Sequence, residues 1–234
     1  MRICFGISAK QLSEADLYLA IDTATDHIGL SLDDGNQVLT ERIWRSKRHH
    51  TTELAPEVAL ILRDAGIGPA DLNGLAVAIG PGSYTGLRIG LALAKGLALA
   101  HGTPLVGVPT LDILAVAQEQ AEQPLLAVIQ AGRKRIAAVW YKWGRSGWQA
   151  QSEPESFTWD QVLGQVREPT VICGELGNER PRLEREKNVL LRSPAACVRR
   201  PSYLAEIARN RIADGDEDDP AALAPTYLGE LEGA

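Results

Sequence analysis

Apolar and polar positions along the chain fall into two similar successions of elements. An apolar run over 17–22 is followed by alternating runs over 28–32 and 38–44, separated by the turn Asp33-Asp34-Gly35-Asn36, so three strands in an antiparallel meander are predicted. A helix follows over 53–65, with Leu54, Val58, Ile61 and Leu62 on one face, Thr51 or Thr52 as its cap and Pro56 in its first turn. Next come a strand over 75–79, a helix over 83–100, a strand over 105–108 and a helix capped by Thr110 and running to about 120. A second set then begins with strands over 125–130 and 136–143, joined to a hairpin turn over 144–147. It continues with a helix over 159–166, a strand over 170–173 and an amphipathic helix over 201–212 that turns Leu204, Ile207 and Ala208 inward. Two meanders, each followed by strand and helix units, predict two similar lobes, 17–120 and 121–234, behind an extension over 1–16.

The stretch 73–100 is the most unusual. A strand ends in the turn Gly80-Pro81-Gly82, the hydroxyls Ser83 and Thr85 follow, and the helix then carries Gly86, Gly90 and Gly96. Each interior glycine costs roughly 1 kcal/mol against alanine, so the row Gly86, Gly90, Ala94 and Ala98 points to a close approach by another backbone. That approach is assigned here to a neighbouring chain, with packing on the chain's own sheet as the alternative. The first-turn amides of this helix are suited to an anion, yet the glycine spacing matches neither the dinucleotide nor the Walker fingerprint.

Composition narrows the chemistry. Hydrophobic residues make up 45% of the 234 residues and charged ones 23%, the balance of an ordinary soluble globular protein. A net charge of −6 argues against a chain that grips nucleic acid unaided. Basic residues nonetheless cluster at Arg45, Lys47 and Arg48 and at Arg133, Lys134 and Arg135, which are candidate RNA contacts. The cysteines Cys4, Cys173 and Cys197 are scattered, as expected of reduced thiols in the cytoplasm, and no zinc spacing occurs, so no metal site is expected. The most apolar window, 87–108, is interrupted by Arg88, Lys95 and His101, so no membrane span is expected. Residues 214–219 form an acidic loop expected to be solvated, because their spacing does not match a calcium loop.

Asp22-Thr23-Ala24-Thr25, the His50 helix start, the run from Gly80 to Gly90, Lys95-Gly96-Leu97-Ala98, Val106-Gly107-Val108 and Pro225-Thr226-Tyr227-Leu228 together resemble the bacterial TsaB (YeaZ-like) family. The match is strong from 17 to about 115 and thinner beyond. The resemblance implies an α/β actin-like ATPase fold (the ASKHA class, ribonuclease H-like) in two similar lobes. It also implies a non-catalytic partner of TsaD, the enzyme that transfers threonylcarbamoyl to N6 of the adenosine beside the anticodon of tRNAs reading codons that start with A, with the ATPase TsaE as third member. Such proteins pair through the first two helices of the first lobe, or with a second copy when alone. Here that implies an interface of Leu54, Val58, Ile61, Leu62, Gly86, Arg88, Ile89, Gly90, Leu93, Ala94 and Leu97.

Asp22, Thr23, Thr25, Gly80, Gly82, Ser83 and Thr85 are the candidate nucleotide or phosphate loop, although a strand-end aspartate satisfying turn amides is the simpler reading of Asp22. No cofactor of the chain's own is expected, while ATP or ADP is a candidate at the interface with TsaD, and tRNA is expected to be met indirectly. Two departures favour the non-catalytic role. Thr110 and Leu114 stand where the resemblance places the two metal-binding imidazoles of TsaD, and Gln130 stands where relatives carry aspartate. An active phosphotransferase of the same fold and a glycoprotease-like peptidase are the alternatives; no nucleophile, histidine and carboxylate signature supports the second.

Overall fold

The computed structural model describes residues 16–46, 50–132 and 134–228, with only the backbone of His50. The first sheet consists of β1 (Tyr18–Asp22), β2 (His27–Asp33), β3 (Val38–Arg45), β4 (Gly74–Gly80) and β5 (Leu105–Pro109), in the order β3-β2-β1-β4-β5. β1 to β3 are the antiparallel meander, and β4 and β5 add parallel to β1. The second sheet repeats this plan. β6 (Leu125–Gln130), β7 (Ile136–Gly144) and β8 (Gly147–Ala150) run antiparallel, while β10 (Thr170–Gly174) and β11 (Val189–Leu191) add parallel to β6, with β9 (Glu155–Phe157) alongside β7.

Helices cover both faces of each sheet, which is why the central strands read as unbroken apolar runs rather than alternating ones. On one face of the first sheet, Leu19, Ile21, Leu75 and Val77 pack with Leu54, Val58, Ile61 and Leu62 of α1 (His50–Ala65) and with Leu91, Ala94 and Ala98 of α2 (Tyr84–His101). On the other face Tyr18, Ala20, Ala76 and Ala78 meet Leu204, Ala205 and Ala208 of α6 (Pro201–Ala213). In the second sheet, Leu125, Ala127 and Ile129 pack on Leu111 and Leu114 of α3 (Thr110–Val116). Leu126 and Val128 pack on Trp159 and Val162 of α4 (Trp159–Gln165) and on Leu183 of α5 (Arg180–Leu183).

The lobes exchange helices. α3 precedes the second sheet in sequence yet packs on it, and α6 follows the second sheet yet returns to the first. The interval 121–234 is therefore not self-contained, contrary to the division expected from the sequence, because the amphipathic face of α6 finds its apolar partner one sheet back. The helix expected from 110 to about 120 stops at Val116, and Thr110 is its first residue rather than its cap. Pro56 lies in the second turn of α1, since the helix begins at His50 rather than 53. The acidic loop is not merely solvated: the Asp218 amide donates to the Leu105 carbonyl, and its carboxylate accepts from the Gly107 amide at 2.8 Å. It thereby covers the free edge of β5. No helix among the described residues is long and apolar enough to cross a membrane.

Candidate interlobe cleft and pairing face

The turn after β1 is nested in the start of α2. Ser83 donates its amide to the Ala24 carbonyl at 2.6 Å, and the Thr23 hydroxyl donates to the Gly86 carbonyl at 2.7 Å. A Cβ on Gly82 would fall on the Ala24 carbonyl, one on Gly86 on the Thr23 carbonyl, and one on Gly90 on the Thr23 hydroxyl. Ser83 caps α2 by accepting from the Gly86 amide. Glycines in this stretch thus let the first turn of the lobe lie directly against the helix.

Asp22 points into a buried network. Its Oδ1 accepts from the Ala24 amide at 2.9 Å, the local role of a strand-end aspartate, while its Oδ2 receives the Arg199 guanidinium at 2.7 Å. Arg199 also donates to Glu175 at 2.9 Å and to the Thr25 hydroxyl at 2.8 Å, and Thr25 in turn donates to Glu175 at 2.7 Å. Only 4% of the Arg199 side chain is exposed. Burial alone would push the Glu175 carboxyl upward; the Arg199 charge, the Thr25 hydroxyl and the Gln130 amide outweigh it and hold that carboxyl below its usual range. Gln130 donates its backbone amide to Glu175 at 3.1 Å and its side-chain amide to the Glu175 carbonyl.

This network floors a cleft of about 1570 Å³ between the two sheets. Thr25, Gly82 and Ser83 of the expected phosphate loop line it, and Glu175 and Arg199 join them. Asp22 and Thr23 are instead buried in polar contacts of the chain's own, Gly80 is buried against the Thr226 carbonyl, and Thr85 lies outside the cleft on the surface of α2. Two carboxylates surround one guanidinium in the floor, and of the expected phosphate loop Asp22, Thr23 and Gly80 are engaged in contacts within the chain. Among the described residues no group of three or more His, Cys, Asp or Glu is placed to hold a metal ion. Sequence reasoning missed Glu175 and Arg199. No spacing rule links Arg199 to a partner 177 positions earlier.

The expected pairing face divides in two. Leu54, Val58, Ile61, Leu62, Gly86, Gly90 and Ala94 are buried in the core of this chain, so they are corrected from interface to core; the small-residue row of α2 serves its own sheet. Arg88, Ile89, Leu93 and Leu97 are exposed or half-buried, and Ala92, Gly96 and Leu99 lie outward with them. Among the described residues, none lies within 4 Å of a Cβ placed on Gly96, and Leu99 is 67% exposed. At the helix start, Tyr84 stacks on Tyr227 with ring centroids 5.1 Å apart. Arg88 lies over the Tyr84 ring at 3.9 Å and donates to the Tyr227 hydroxyl at 2.8 Å.

The basic candidates are scattered. Arg45 is exposed beside Asp26, and Lys134 is exposed. Arg135 donates to the hydroxyl and the carbonyl of Ser156, so its charge is spent holding β9 to the β6–β7 turn. Lys47, Arg48 and Arg133 lie outside the described residues.

Comparison with known proteins accounts for the duplicated sheet plan. The family model described as "tRNA N6-adenosine threonylcarbamoyltransferase" matches residues 37–169, more than half of the chain. Over 217 residues, covering 90% of this chain and 93% of the relative, it is 30% identical to the tRNA threonylcarbamoyladenosine biosynthesis protein TsaB of Escherichia coli and, with the same coverage, 29% identical to that of Bacillus subtilis. The YeaZ structure from Pseudomonas aeruginosa superposes with a TM-score of 0.73, 23% identity and coverage of 91% of this chain and 100% of that one. The ethanolamine utilization protein EutJ of Carboxydothermus hydrogenoformans aligns at 0.50, covering 81% and 89%. Both sheets have the α/β actin-like, ribonuclease H-like arrangement, and the chain belongs to the TsaB (YeaZ) family.

Proposed function

We propose that this chain is a non-catalytic subunit of the machinery that transfers threonylcarbamoyl to N6 of the adenosine beside the tRNA anticodon, pairing with a TsaD-like catalytic subunit and assisted by a TsaE-like ATPase. Membership in the TsaB family supports this reading. The observation that carries the non-catalytic reading is the state of Thr110 and Leu114, the positions matched to the metal-binding imidazoles of TsaD: both are fully buried, and neither supplies an imidazole. The cleft adds support, because Asp22 and Glu175 are both already engaged by Arg199 rather than free for a magnesium nucleotide. tRNA is met through the assembly rather than by this chain alone, in keeping with its net charge of −6. The assembly works in the cytoplasm, and the free chain pairs with a second copy through the same face.

The pairing surface in this reading is the outward side of α2, with Arg88, Ile89, Ala92, Leu93, Gly96 and Leu99. Tyrosine and arginine are the residue types that dominate interface energies, so the Tyr84, Arg88 and Tyr227 stack is its expected centre. Gly96→Trp adds bulk at an exposed position where a Cβ meets no other described residue within 4 Å, so the fold should persist while affinity for a TsaD-like subunit falls roughly tenfold or more. Sedimentation of the mixed proteins reads this directly. Full-strength complex with Gly96→Trp would move the interface elsewhere, and no complex with the unmodified chain would remove the subunit reading.

A further inference from the structure

We propose that Arg199 is a built-in counter-cation that bolts the two lobes together across the cleft, so that the cleft keeps one width instead of opening and closing around a ligand. The three groups it grips come from both sides of the cleft. Asp22 ends β1 and Thr25 follows it in the first sheet, and Glu175 follows β10 in the second. The planar guanidinium, with donors in a fixed fork, spans all three at 2.7–2.9 Å and fixes distance and angle together.

The segment that carries Arg199 is itself held. Arg200 donates to Glu41 of β3 at 2.9 and 2.6 Å, and the Ser202 amide donates to the same carboxylate at 3.0 Å. Pro201 lies against Gly29 of β2, where even a Cβ would come within 3.2 Å. Arg199 therefore belongs to the first lobe as rigidly as Asp22 does, and its bond to Glu175, beside the one from the Thr25 hydroxyl, ties that lobe to the second. A cation entering between Asp22 and Glu175 would have to displace a guanidinium whose backbone cannot follow it out. An isolated buried guanidinium or carboxylate is costly, so the three charged groups hold one another in place.

The test places spin labels, as noncanonical residues that leave the cysteines untouched, at Asn36 in the β2–β3 turn and Arg145 in the β7–β8 turn, both exposed and one on each lobe. In the full chain, mixed with excess unlabelled chain so that a pair of copies carries at most one labelled protomer, pulsed dipolar spectroscopy should give one narrow distance that does not move when magnesium and ADP are added. Arg199→Met and Glu175→Gln should each broaden and shift that distance, and Arg199→Lys, which keeps the charge but loses the fork, should fall between. Should Arg199→Met fail to fold, Glu175→Gln decides, since it weakens the tie by removing only the charge on the second lobe's side. Wild-type distributions in both variants, or a wild-type distance that moves with magnesium and ADP, would overturn the bolt. The measurement uses the isolated chain, so it leaves the pairing reading untouched either way.

Discussion

At the scale of single residues, the Arg199 network concentrates the consequences of substitution. Removing the guanidinium leaves two carboxylates buried without it, and breaking a buried pair from one side costs about 3–5 kcal/mol, so Arg199→Met should lower the denaturant midpoint more than any change at the exposed basic residues Arg45 or Lys134. The Glu175 carboxyl lies below its usual range in the folded chain, so the sign of its pH effect is fixed. Its stabilisation is complete above the unfolded value of about 4.3 and is lost as pH falls through the lower folded value. Melting curves taken into the acid range should therefore fall less steeply for Glu175→Gln than for the parent chain, from a lower starting stability. An unchanged acid slope would show that the carboxylate is not held by Arg199. Neither partner could be read from the sequence. Asp22 stood out because it ends an apolar run in a turn, whereas Glu175 and Arg199 have ordinary surroundings and acquire their role only when the two sheets and the returning connection meet.

Among elements, α2 shows how one sequence pattern can serve two surfaces. Its glycine and alanine row was legible as a site of close approach, but spacing alone does not say which neighbour approaches. Gly86 and Gly90 are filled by the turn after β1, whereas Gly96 faces outward. Alanine at Gly96 should stabilise the chain by up to about 1 kcal/mol through helix propensity. At Gly90 the same change gains no more than that from the helix and meets the Thr23 hydroxyl, an overpacking cost of about 1–3 kcal/mol. Gly90→Ala is thus expected to destabilise and Gly96→Ala to stabilise, and chemical denaturation of the two variants checks both signs. The same reasoning shows why Leu54, Val58, Ile61 and Leu62 belong to the core: an apolar helix face signals burial, and the nearest apolar surface is the chain's own sheet. The short strands β8, β9 and β11 carry too few residues for a period to show, and pairing with longer neighbours defines them.

For the whole molecule, the repeated order of two sheets depends on keeping their edges closed. The outer edge of β5 is covered by Asp218, which bonds the Gly107 amide, and by Arg211, which bonds the Gly107 carbonyl at 2.9 Å and pairs with Asp216 and Asp218. Asp218→Ala would leave the Gly107 amide unpaired at an open strand edge, so the variant should associate at high concentration, as light scattering would record. A monodisperse variant would show that the loop is dispensable there.

The sequence by itself determined the longer strands and helices and the two successive meanders, because periodicity and turn residues act over a few neighbouring positions. It also carried the family resemblance, since Gly80, Gly82, Gly86 and Gly90 each meet another residue so closely that a Cβ would not fit. Tertiary structure alone decided that α3 and α6 pack across the sequence order, that the small-residue row serves the chain's own sheet, and that Arg199 closes the floor of the cleft. Those outcomes depend on which apolar faces and which buried charges find one another across long stretches of chain, a competition that no local pattern records.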